Sequence, residues 1–597
     1  MHPPLPASFA LFEDRFAVPG QPAAWLFQEP AARWPVSDGQ TLQQALAAVA
    51  AQGLWSVWYL DYELGPVLEP AAAAGAKPAG TRAWVQTYRD CQVLSPPELE
   101  AWLAARGPMA PAGVGALRAG LEEPAYRAAL GRIQNYIRAG DCYQINFTFP
   151  LEFQAYGTPL DLYRRLRTRQ PVRYGGLVQA PEGSVISLSP ELFLHRQGEH
   201  LLTRPMKGTA PRSPDAGADR LAAQALAASA KNRAENLMIV DLLRNDLGRL
   251  ARPGSVAVTS LFAVESYPSV HQMVSQVEAE VEGGDDFALL QALFPCGSIT
   301  GAPKVRAMQI IRELEQGPRG IYTGALGWRS PAGELRLNVA IRTLEIDARG
   351  RGRMGVGSGI VADSEAGAEW QECLLKGRFL TDLDPGLELI ETLRLEVLSG
   401  QPRYPRLAGH LQRMARSAAW LGFPWSEAAM WAALDLGDLA DGLYRVRLSL
   451  DKAGVFSVRC QPLGPEPGGE RLLLLAEPRI DADDPLRRHK TTARSLYDQA
   501  LARVVERPEV FDVLFLNEQG RVAEGARSNV FARIDGEWLT PPLESGALPG
   551  VFRAEMLAAG LARSAELSLA DLRRAEEIRC GNALRGWIQV ALVEVAP

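Results

Sequence analysis

The alternation of apolar and polar residues predicts helices and strands in mixed order along the chain. Apolar residues recur at helical spacing from Tyr126 to Ala139, and Gly140 follows as a helix terminator. The next segment, from Tyr143 to Phe149, alternates with a period of two, as a half-buried strand does. The sequence therefore predicts a helix followed directly by a strand.

Three further helices are predicted from apolar spacing and from helix breakers. We expect a long Ala- and Leu-rich helix from Asp219 to Asp246, a second after Pro303 and a third from Ala366 to Phe379. Strands are expected from Leu335 to Ile346 and from Met354 to Val361. This mixture indicates an α+β or mixed α/β protein.

The pattern changes near Asp384-Pro385-Gly386, where the third helix must end. Beyond it, apolar runs are separated by short turns at Ser399-Gly400, 451–454, 517–520 and Asp535-Gly536, which are typical of hairpins. We therefore predict three domains, namely an N-terminal lobe at 1–121, a catalytic domain at 122–383 and a hairpin-rich domain at 387–597.

Composition excludes several classes of function. The 597 residues are too many for one ordinary core, and a net charge of −6 disfavours a nucleic-acid binder. The six cysteines form no C-x-x-C pair, which disfavours a zinc site and a disulfide framework. The chain has no long apolar run, and its first residues lack a signal-peptide pattern. We expect a cytoplasmic protein that neither crosses nor binds a membrane.

One lysine is a candidate nucleophile because of its neighbours. Lys207 lies between an apolar segment and the flexible pair Gly208-Thr209. Partial burial lowers the pKa of an amine, and a neutral amine is a nucleophile. Taken alone, however, Lys207 is more typical of an exposed strand end.

The run from Arg204 to Thr209 resembles the Pro-Ile-Lys-Gly-Thr motif of aminodeoxychorismate synthase component I, a branch of the chorismate-utilising enzymes. In the sister anthranilate and salicylate synthases, alanine typically stands at the position of Lys207. The resemblance implies large antiparallel sheets flanked by helices, and amination of chorismate at C4. Four further segments resemble the same family, and they are 189–191, 231–246, 297–304 and 355–372.

The resemblance also implies roles for individual residues. Lys207 would attack C2 of chorismate, and Glu191 would protonate the departing C4 hydroxyl. Glu235 and Glu372 match Mg²⁺ ligands, and Glu369 lies one helical turn before Glu372 as a further acceptor. The implied substrate-binding residues are Thr209, Thr300, Gly301, Ala302, Lys304, Tyr322, Arg342, Gly357, Gly359 and His271.

Each of these residues also has an ordinary structural interpretation. The glutamates alone are typical of solvated helix faces, Arg342 of a strand edge and His271 of a structural histidine. The turn from Gly297 to Lys304 precedes a predicted helix, whose free N–H groups favour an anion. The resemblance implies that this turn holds a substrate carboxylate.

Residues 387–597 resemble fold-type IV enzymes that use pyridoxal 5'-phosphate, most closely aminodeoxychorismate lyase. The matching runs are 390–394, 410–414, 489–498, 522–531 and 548–553. The resemblance implies that Lys490 carries the cofactor and acts as the base, and that Glu524 pairs with the pyridine nitrogen. The other implied cofactor-binding residues are Arg413, Ser528, Asn529, Gly550 and Val551.

Together the two resemblances imply a bifunctional enzyme that makes para-aminobenzoate from chorismate and ammonia. Two alternatives remain open: an anthranilate-type synthase fused to an aminotransferase, and a synthase with a degenerate C-terminal interaction domain. No glutaminase segment is visible, so we expect a separate glutamine amidotransferase subunit. Fold-type IV enzymes are commonly dimers, which favours a homodimer through the hairpin-rich domain.

Overall fold

The computed structural model describes residues 8–73, 83–267, 270–283, 285–465 and 471–594. The chain forms two compact units, of which the first contains 1–112 and 117–383 and the second contains 113–116 and 384–597. Within the described ranges, no helix is long and apolar enough to cross a membrane.

The first unit combines long antiparallel strands with flanking helices. Its helices are α1 (Gly39–Gln52), α2 (Leu64–Leu68), α3 (Pro96–Ala104), α4 (Glu123–Arg138), α5 (Pro159–Arg169), α6 (Ala216–Ala228), α7 (Ala230–Gly248), α8 (Asp286–Leu293), α9 (Lys304–Leu314) and α10 (Ala366–Thr381). The strands up to residue 383, with β7 crossing the boundary at 116, are β1 (Phe9–Glu13), β2 (Ala24–Gln28), β3 (Pro30–Pro35), β4 (Trp55–Leu60), β5 (Trp84–Tyr88), β6 (Gln92–Leu94), β7 (Gly113–Ala119), β8 (Gln144–Tyr156), β9 (Tyr174–Ala180), β10 (Gly183–Ser189), β11 (Leu192–Gln197), β12 (His200–Arg204), β13 (Met206–Pro211), β14 (Ala257–Ser266), β15 (Val270–Glu280), β16 (Gly301–Ala302), β17 (Ala325–Arg329), β18 (Leu335–Val339), β19 (Thr343–Asp347) and β20 (Arg351–Ile360).

Two large sheets pack face to face in this unit. One runs in the order β16-β8-β20-β19-β10-β9-β1-β2-β6, and the other in the order β13-β15-β12-β11-β18-β17-β4-β5-β3. Aromatic side chains fill the space between them, and the rings of Trp25 and Trp328 lie 5.0 Å apart. The outer face of the second sheet is covered by α1, α7 and α8. The strand β13 pairs with β15 at the end of the second sheet, and both β13 and α7 carry candidate residues.

The second unit is built from two sheets and shorter helices. Its helices are α11 (Leu407–Leu421), α12 (Glu427–Leu434), α13 (Ser495–Ala502), α14 (Val551–Ala558) and α15 (Leu569–Arg573). Its strands are β21 (Leu389–Leu398), β22 (Gln401–Arg403), β23 (Gly442–Leu450), β24 (Phe456–Pro462), β25 (Leu472–Leu475), β26 (Val510–Leu516), β27 (Val522–Gly525), β28 (Asn529–Ile534), β29 (Glu537–Thr540), β30 (Arg563–Ser564), β31 (Glu577–Asn582) and β32 (Gly586–Val593). The four-stranded sheet has the order β22-β21-β23-β24, and the eight-stranded sheet has the order β27-β26-β25-β32-β31-β28-β29-β30.

Most predicted elements are confirmed, and two are wrong. The helix from Tyr126, the strand after it and the four hairpin turns occur as predicted. The long helix is two helices, because the backbone at Ser229 is extended and its side chain caps α7. The strand predicted from Leu335 to Ile346 is likewise two strands, separated by a bend where Arg342 has a φ of +50°.

Candidate active sites

Lys207 lies on β13 and points at carboxylates on two helices. Its Nζ is 4.0 Å from Oε2 of Glu235 on α7, and about one-fifth of the side chain is exposed, at 19%. Burial, followed by the positive charge of Lys376, lowers the pKa of Lys207, although Glu235 and Glu372 act to raise it. A Cβ placed on Gly359 would lie 2.8 Å from this Nζ, so the amine occupies the space that a side chain there would need.

Glu191 is the buried acid beside Lys207. It lies between β10 and β11 and is only 3% exposed. Ser298 donates a hydrogen bond of 2.7 Å to its Oε1, and Ser189 donates to its carbonyl oxygen at 3.3 Å. Burial raises the pKa of Glu191 to about 7, against the opposing effects of Ser298 and Lys207. A carboxyl with this pKa can hold or give a proton near neutral pH.

The three predicted metal ligands do not form a ready cluster. Glu372 on α10 pairs with Lys376 at 2.7 Å, and Glu369 accepts a hydrogen bond of 2.7 Å from Ser364. Burial acts to raise the pKa of Glu372, but the charges of Lys376 and Lys207 outweigh it and lower the pKa. Among the described residues, no three acidic, histidine or cysteine side chains form a group that could hold a metal.

Glu235 and Glu372 nevertheless suit a hard cation. Both carboxylates act electrostatically on the same lysine, Lys207, so they converge from α7 and α10. Mg²⁺ commonly takes one or two carboxylates and completes its six ligands with water and substrate oxygens. Two carboxylates therefore fit a Mg²⁺ ion that is completed by an anionic substrate.

The predicted carboxylate-binding turn is closed largely by its own contacts. Thr300 is fully buried, and its hydroxyl donates to the carbonyl of Cys296 at 2.9 Å. Gly301 has a φ of +146°, and a Cβ there would lie 2.3 Å from a carbonyl of β8, so only glycine fits. With Ala302 it forms β16, which pairs with β8.

Lys304 lies at the start of α9 and is already paired. Its Nζ donates to Oδ2 of Asp246 at 2.7 Å and to the carbonyl of Leu293 at 3.2 Å. Asp246 is 3% exposed, and breaking such a buried pair is strongly destabilising. These contacts hold α9 against α7 and leave Lys304 fewer donors for a substrate.

Arg342 and Tyr322 are two further predicted substrate-binding residues. Burial lowers the pKa of Arg342, and within the described ranges no acceptor or carboxylate pairs with its guanidinium. An unpaired, part-buried guanidinium suits a substrate carboxylate. Tyr322 is buried, and a Cβ on Gly355 would meet its ring at 2.1 Å. Gly357 accepts a hydrogen bond of 2.9 Å from Lys376 through its carbonyl.

Two predicted substrate residues have partners elsewhere. His271 is 1% exposed, and its ring nitrogens contact Ser266 Oγ at 2.9 Å and Asp219 Oδ1 at 3.0 Å. These contacts are those of a histidine that holds structure together. Thr209 is exposed and donates to Gln272 at 2.9 Å.

Sequence reasoning missed Gln144. Gln144 is the first residue of β8. Its side chain is fully buried and has no hydrogen-bond partner on either amide atom. A Cβ on Gly359 would lie 3.1 Å from its Nε2, so the amide lies beside Lys207. A buried amide without partners is costly unless a ligand satisfies it. The strand pattern marked Gln144 only as an ordinary polar position, because its sequence neighbours carry no charge.

Lys490 is the corresponding amine of the second unit. Burial, with the nearby charge of Arg413, lowers its pKa to about 8. Its carbonyl accepts a hydrogen bond of 2.9 Å from the backbone of Ile390, which ties the lysine to β21. The preceding His489 packs on Trp420 at 4.5 Å and bonds to Ser417 at 2.9 Å. These contacts fix the backbone on both sides of Lys490.

Glu524 is a buried carboxylate at the end of β27. Tyr497 donates to Oε1 at 2.5 Å, and the backbone N–H of Leu548 donates to Oε2 at 2.9 Å. Burial raises its pKa, and Lys490 is among the charges that oppose this. A buried lysine and a buried carboxylate in one site are the donor set that a pyridoxal ring requires.

Arg413 is committed to a carboxylate that the sequence did not single out. Two of its nitrogens donate to Glu391 at 2.7 and 2.6 Å, and Nη1 donates to the carbonyl of Pro549 at 3.0 Å. His410 contacts the same carboxylate at 2.7 Å. This buried set positions the turn that precedes α14.

The remaining predicted cofactor residues surround that turn. Asn529 donates to the carbonyl of Leu548 at 3.0 Å, and a Cβ on Gly550 would lie 1.9 Å from its Oδ1. Ser528 donates to the buried Asp512. Val551 begins α14, where first-turn N–H groups have no intrahelical acceptor and favour an anion such as phosphate.

Comparison with known proteins gives these sites a family. Residues 27–382 match the family of chorismate binding enzymes. The chain belongs to this family. Residues 388–593 match the amino-transferase class IV family, so a chorismate-binding enzyme fold is followed by a class IV aminotransferase fold, as predicted. Both matched families are families of enzymes.

Relatives of the chorismate-binding part carry two names. Aminodeoxychorismate synthase component 1 of Klebsiella aerogenes is 46% identical over 272 residues, which are 45% of this chain and 60% of the relative. Anthranilate synthase component 1 of Streptomyces coelicolor (strain ATCC BAA-471 / A3(2) / M145) is 42% identical over 262 residues, which are 44% and 51%. The chain therefore spans little more than half the length of these relatives.

Among solved structures, anthranilate synthase component I from Streptococcus pneumoniae TIGR4 shares the fold of the first unit. It is 24% identical, with a TM-score of 0.51, and the match covers 63% of this chain and 93% of the other. This likeness concerns the fold.

Proposed function

We propose that the first unit aminates chorismate at C4 with ammonia and that the second eliminates pyruvate from the product, leaving para-aminobenzoate. The observation that carries this proposal is the pair formed by Lys207 and Glu191. Burial lowers the pKa of the amine and raises that of the acid to about 7. An amine whose pKa is lowered, beside an acid whose pKa is raised, suits a substitution that needs a nucleophile and must expel a hydroxyl.

The first reaction then balances through these two residues. Nζ of Lys207 forms a bond to C2 as both ring double bonds shift by one position and the C4–O bond breaks. Glu191 gives its proton to the departing oxygen, which leaves as water, and the lysine nitrogen loses a proton. Ammonia next bonds to C4, both double bonds shift back, and the C2–N bond breaks; the proton that the new C4 amine loses returns to the lysine nitrogen and restores the amine. Gln144 and Arg342 would hold the substrate's polar groups.

Mg²⁺ would be held by Glu235 and Glu372. Glu369, which accepts a hydrogen bond from Ser364, would serve as a further acceptor. Its role would be to neutralise a substrate carboxylate between two protein carboxylates. Lys376 already pairs with Glu372 at 2.7 Å, so metal binding would compete with or share this contact.

In the second unit, Lys490 and Glu524 would hold pyridoxal 5'-phosphate from opposite ends of its ring. The cofactor supplies an electron-accepting ring when bound. Glu524 would hold a proton at the pyridine nitrogen, and Ser528, Asn529, Gly550, Val551 and the turn positioned by Arg413 would surround the phosphate. Lys490 has a pKa of about 8, so a sizeable neutral fraction is ready to take the proton from C4 of the substrate.

Ammonia would come from a separate glutamine amidotransferase. Two observations support this: the related Klebsiella protein is named a component, and the chain shows no cysteine in a nucleophile context. Burial raises the pKa of Cys142, Cys296, Cys373 and Cys580, which disfavours thiolate chemistry at these residues.

Product analysis with the purified full chain tests the proposal. Chorismate, Mg²⁺ and ammonium are supplied with or without pyridoxal phosphate, and products are separated by chromatography. We expect para-aminobenzoate and pyruvate with the cofactor, and 4-amino-4-deoxychorismate without it. Anthranilate as the main product would overturn the C4 assignment. Glutamine should replace ammonium only when a glutaminase partner is added.

A further inference from the structure

One face of the four-stranded sheet carries a row of arginines. Arg394 on β21 lies opposite Arg445 on β23, and Thr392 lies opposite Arg447. Side chains two residues apart on a strand share a face, so these four lie on the same side of the sheet. The intervening residues, among them Val446 and Leu448, are buried on the other side. The arginine face is therefore the half-exposed face.

Lys490 belongs to the same face by strand register. Leu389 bridges Thr491 in antiparallel fashion, which places Ile390 opposite Lys490, and Ile390 also lies opposite Ser449 on β23. Residues directly opposite one another in antiparallel strands share a face. With standard strand spacing and rise, the Cα atoms of Lys490 and Arg447 are about 12 Å apart. Two long side chains can therefore meet a ring-sized ligand between them.

Two of the three arginines on this face have no acidic partner among the described residues. Arg394 pairs with Glu396 at 2.8 Å, whereas Arg445 and Arg447 have no hydrogen bond or ion pair in the described part of the chain. Burial and the charges of Arg447, Arg527 and Arg494 lower the pKa of Arg445. Mutual repulsion of guanidinium groups favours an anionic ligand.

Two further arginines, Arg494 and Arg527, act electrostatically on Arg445, and their own charges are only partly neutralised. Arg494 donates to Asp498 at 2.8 Å and to the carbonyl of Ala526 at 2.7 Å. Arg527 donates to the carbonyl of Phe511, and the buried Asp512 accepts from its backbone N–H at 3.1 Å. Arg494 also acts electrostatically on Lys490, so the positive charge extends from the candidate lysine to β23.

We propose that Arg447, supported by Arg445, binds the ring carboxylate of the substrate, and so selects a ring acid whose amine and carboxylate lie at opposite ends. This inference rests on the proposed lyase function. In 4-amino-4-deoxychorismate the ring carboxylate stands opposite the amine, and it is retained in para-aminobenzoate. When the amine is at Lys490, this carboxylate points away from the lysine toward β23.

The same geometry disfavours an α-amino acid as substrate. In an α-amino acid the carboxylate and the amine share one carbon, so binding both groups would bring the guanidinium of Arg447 next to the amine of Lys490, where like charges repel. The arginine face therefore distinguishes a lyase acting on a ring acid from an amino-acid aminotransferase.

Binding of the product to the cofactor-loaded full chain tests the inference. The probes are para-aminobenzoate and aniline, which lacks the carboxylate, and calorimetry measures their affinities. The variants are Arg447→Gln and Arg447→Lys. The matched control is Arg403→Gln, which removes an equal charge from the same sheet at the end of β22, opposite Glu396.

We expect Arg447→Gln to weaken para-aminobenzoate binding about 10- to 100-fold, the range for a lost charged hydrogen bond, and to leave aniline binding unchanged. The KM for 4-amino-4-deoxychorismate should rise by a similar factor, with kcat within about threefold. Arg447→Lys should restore part of the affinity, because it keeps the charge but loses the bidentate fork. An unchanged absorbance of the bound cofactor shows that each variant is folded.

Two outcomes separate this inference from the proposed function. If the wild type releases pyruvate from 4-amino-4-deoxychorismate but Arg447→Gln binds para-aminobenzoate as tightly as Arg403→Gln does, the carboxylate assignment is overturned and the lyase function stands. If the wild type releases no pyruvate yet its affinity for para-aminobenzoate depends on Arg447, the lyase function is overturned and the carboxylate subsite stands.

Discussion

Nζ of Lys207 on β13 lies 4.0 Å from Oε2 of Glu235 on α7, and yet the pKa of the lysine is lowered. Burial and the charge of Lys376 outweigh the attraction of the surrounding carboxylates. A cation bound by those carboxylates would weaken their attraction further and lower the pKa again. The proposed metal site would therefore also favour the neutral form of this amine.

Replacement of Lys207 by Ala should reduce amination of chorismate by at least about 100-fold, because the proposed mechanism loses its nucleophile. The second reaction should proceed normally when 4-amino-4-deoxychorismate is supplied. A coupled assay for pyruvate measures both. Lys231→Ala is the matched control, since Lys231 lies on α7, is mostly exposed and pairs only loosely with Asp363 at 3.8 Å. Equal activities of the two variants would contradict the nucleophile assignment.

Glu191→Gln should lower amination by about 100-fold or more and abolish the descending limb of the pH profile. The wild-type rate should fall as pH rises through about 7, where Glu191 loses its proton. A wild-type profile that stays flat from pH 6 to 8 would contradict the acid role.

The same substitution should change stability in a pH-dependent way. The raised pKa of Glu191, about 7 against an ordinary 4.5, means that the folded state holds the proton more tightly. Its contribution is full below pH 4.5 and is lost as pH rises through 7, at a cost of about 1–3 kcal/mol. Glu191→Gln should therefore gain stability over the wild type at pH 8 but not at pH 4, as urea unfolding would show.

Removal of divalent cations should stop the first reaction and spare the second. EDTA treatment should abolish amination, and added Mg²⁺ should restore it, while pyruvate release from supplied 4-amino-4-deoxychorismate continues. Glu235→Ala should raise the Mg²⁺ concentration needed for half-maximal amination by at least about tenfold. Glu265→Ala serves as a control because its carboxylate pairs with Arg204. Full amination in EDTA would argue against a metal site.

Lys490→Ala should abolish pyruvate release and cause 4-amino-4-deoxychorismate to accumulate from chorismate. The absorbance of enzyme-bound pyridoxal phosphate should shift, because its covalent attachment is lost. Lys452→Ala, in the same unit and bonded to the carbonyl of Gly422 at 2.7 Å, should leave both signals unchanged. Undiminished para-aminobenzoate formation by Lys490→Ala would contradict the assignment.

Tyr497→Phe should weaken the second reaction without removing any proposed catalytic group. The hydroxyl donates to Glu524 at 2.5 Å, and its loss leaves a buried carboxylate with one donor fewer. We expect kcat to fall about 3- to 30-fold, cofactor binding to persist and the pKa of Glu524 to rise further. Spectrophotometric titration of the bound cofactor would show the change, and an unaltered titration would count against the role of Tyr497.

Periodicity predicted elements well wherever one face is buried, as in α4 and β8. It failed at Ser229 and Arg342 because single backbone dihedrals end an element there while the apolar spacing continues across the break. Motif resemblance predicted that Lys207, Glu191 and Glu235 belong to one site. It carried no information on the partners of each side chain, such as Asp246 for Lys304 or Glu391 for Arg413, because those contacts join distant segments.

Gln144 shows the limit of residue-type reasoning. Its amide is important in the structure because it is buried and without a partner, and both properties arise only when β8, β16 and β20 come together. A sequence pattern shows which positions face inward, but not which buried polar groups remain unsatisfied.

Gly359 makes the proposed first reaction depend on the absence of a single carbon atom. Because a Cβ there would lie 2.8 Å from Nζ of Lys207 and 3.2 Å from Oδ1 of Asn146, Gly359→Ala would move the amine without changing its chemistry. The substitution would therefore displace the amine of Lys207 from its present position while the lysine remains present and titratable. For the same reason, substitution at position 359 should impair amination more than it impairs folding, because the nearest atom is the flexible end of Lys207.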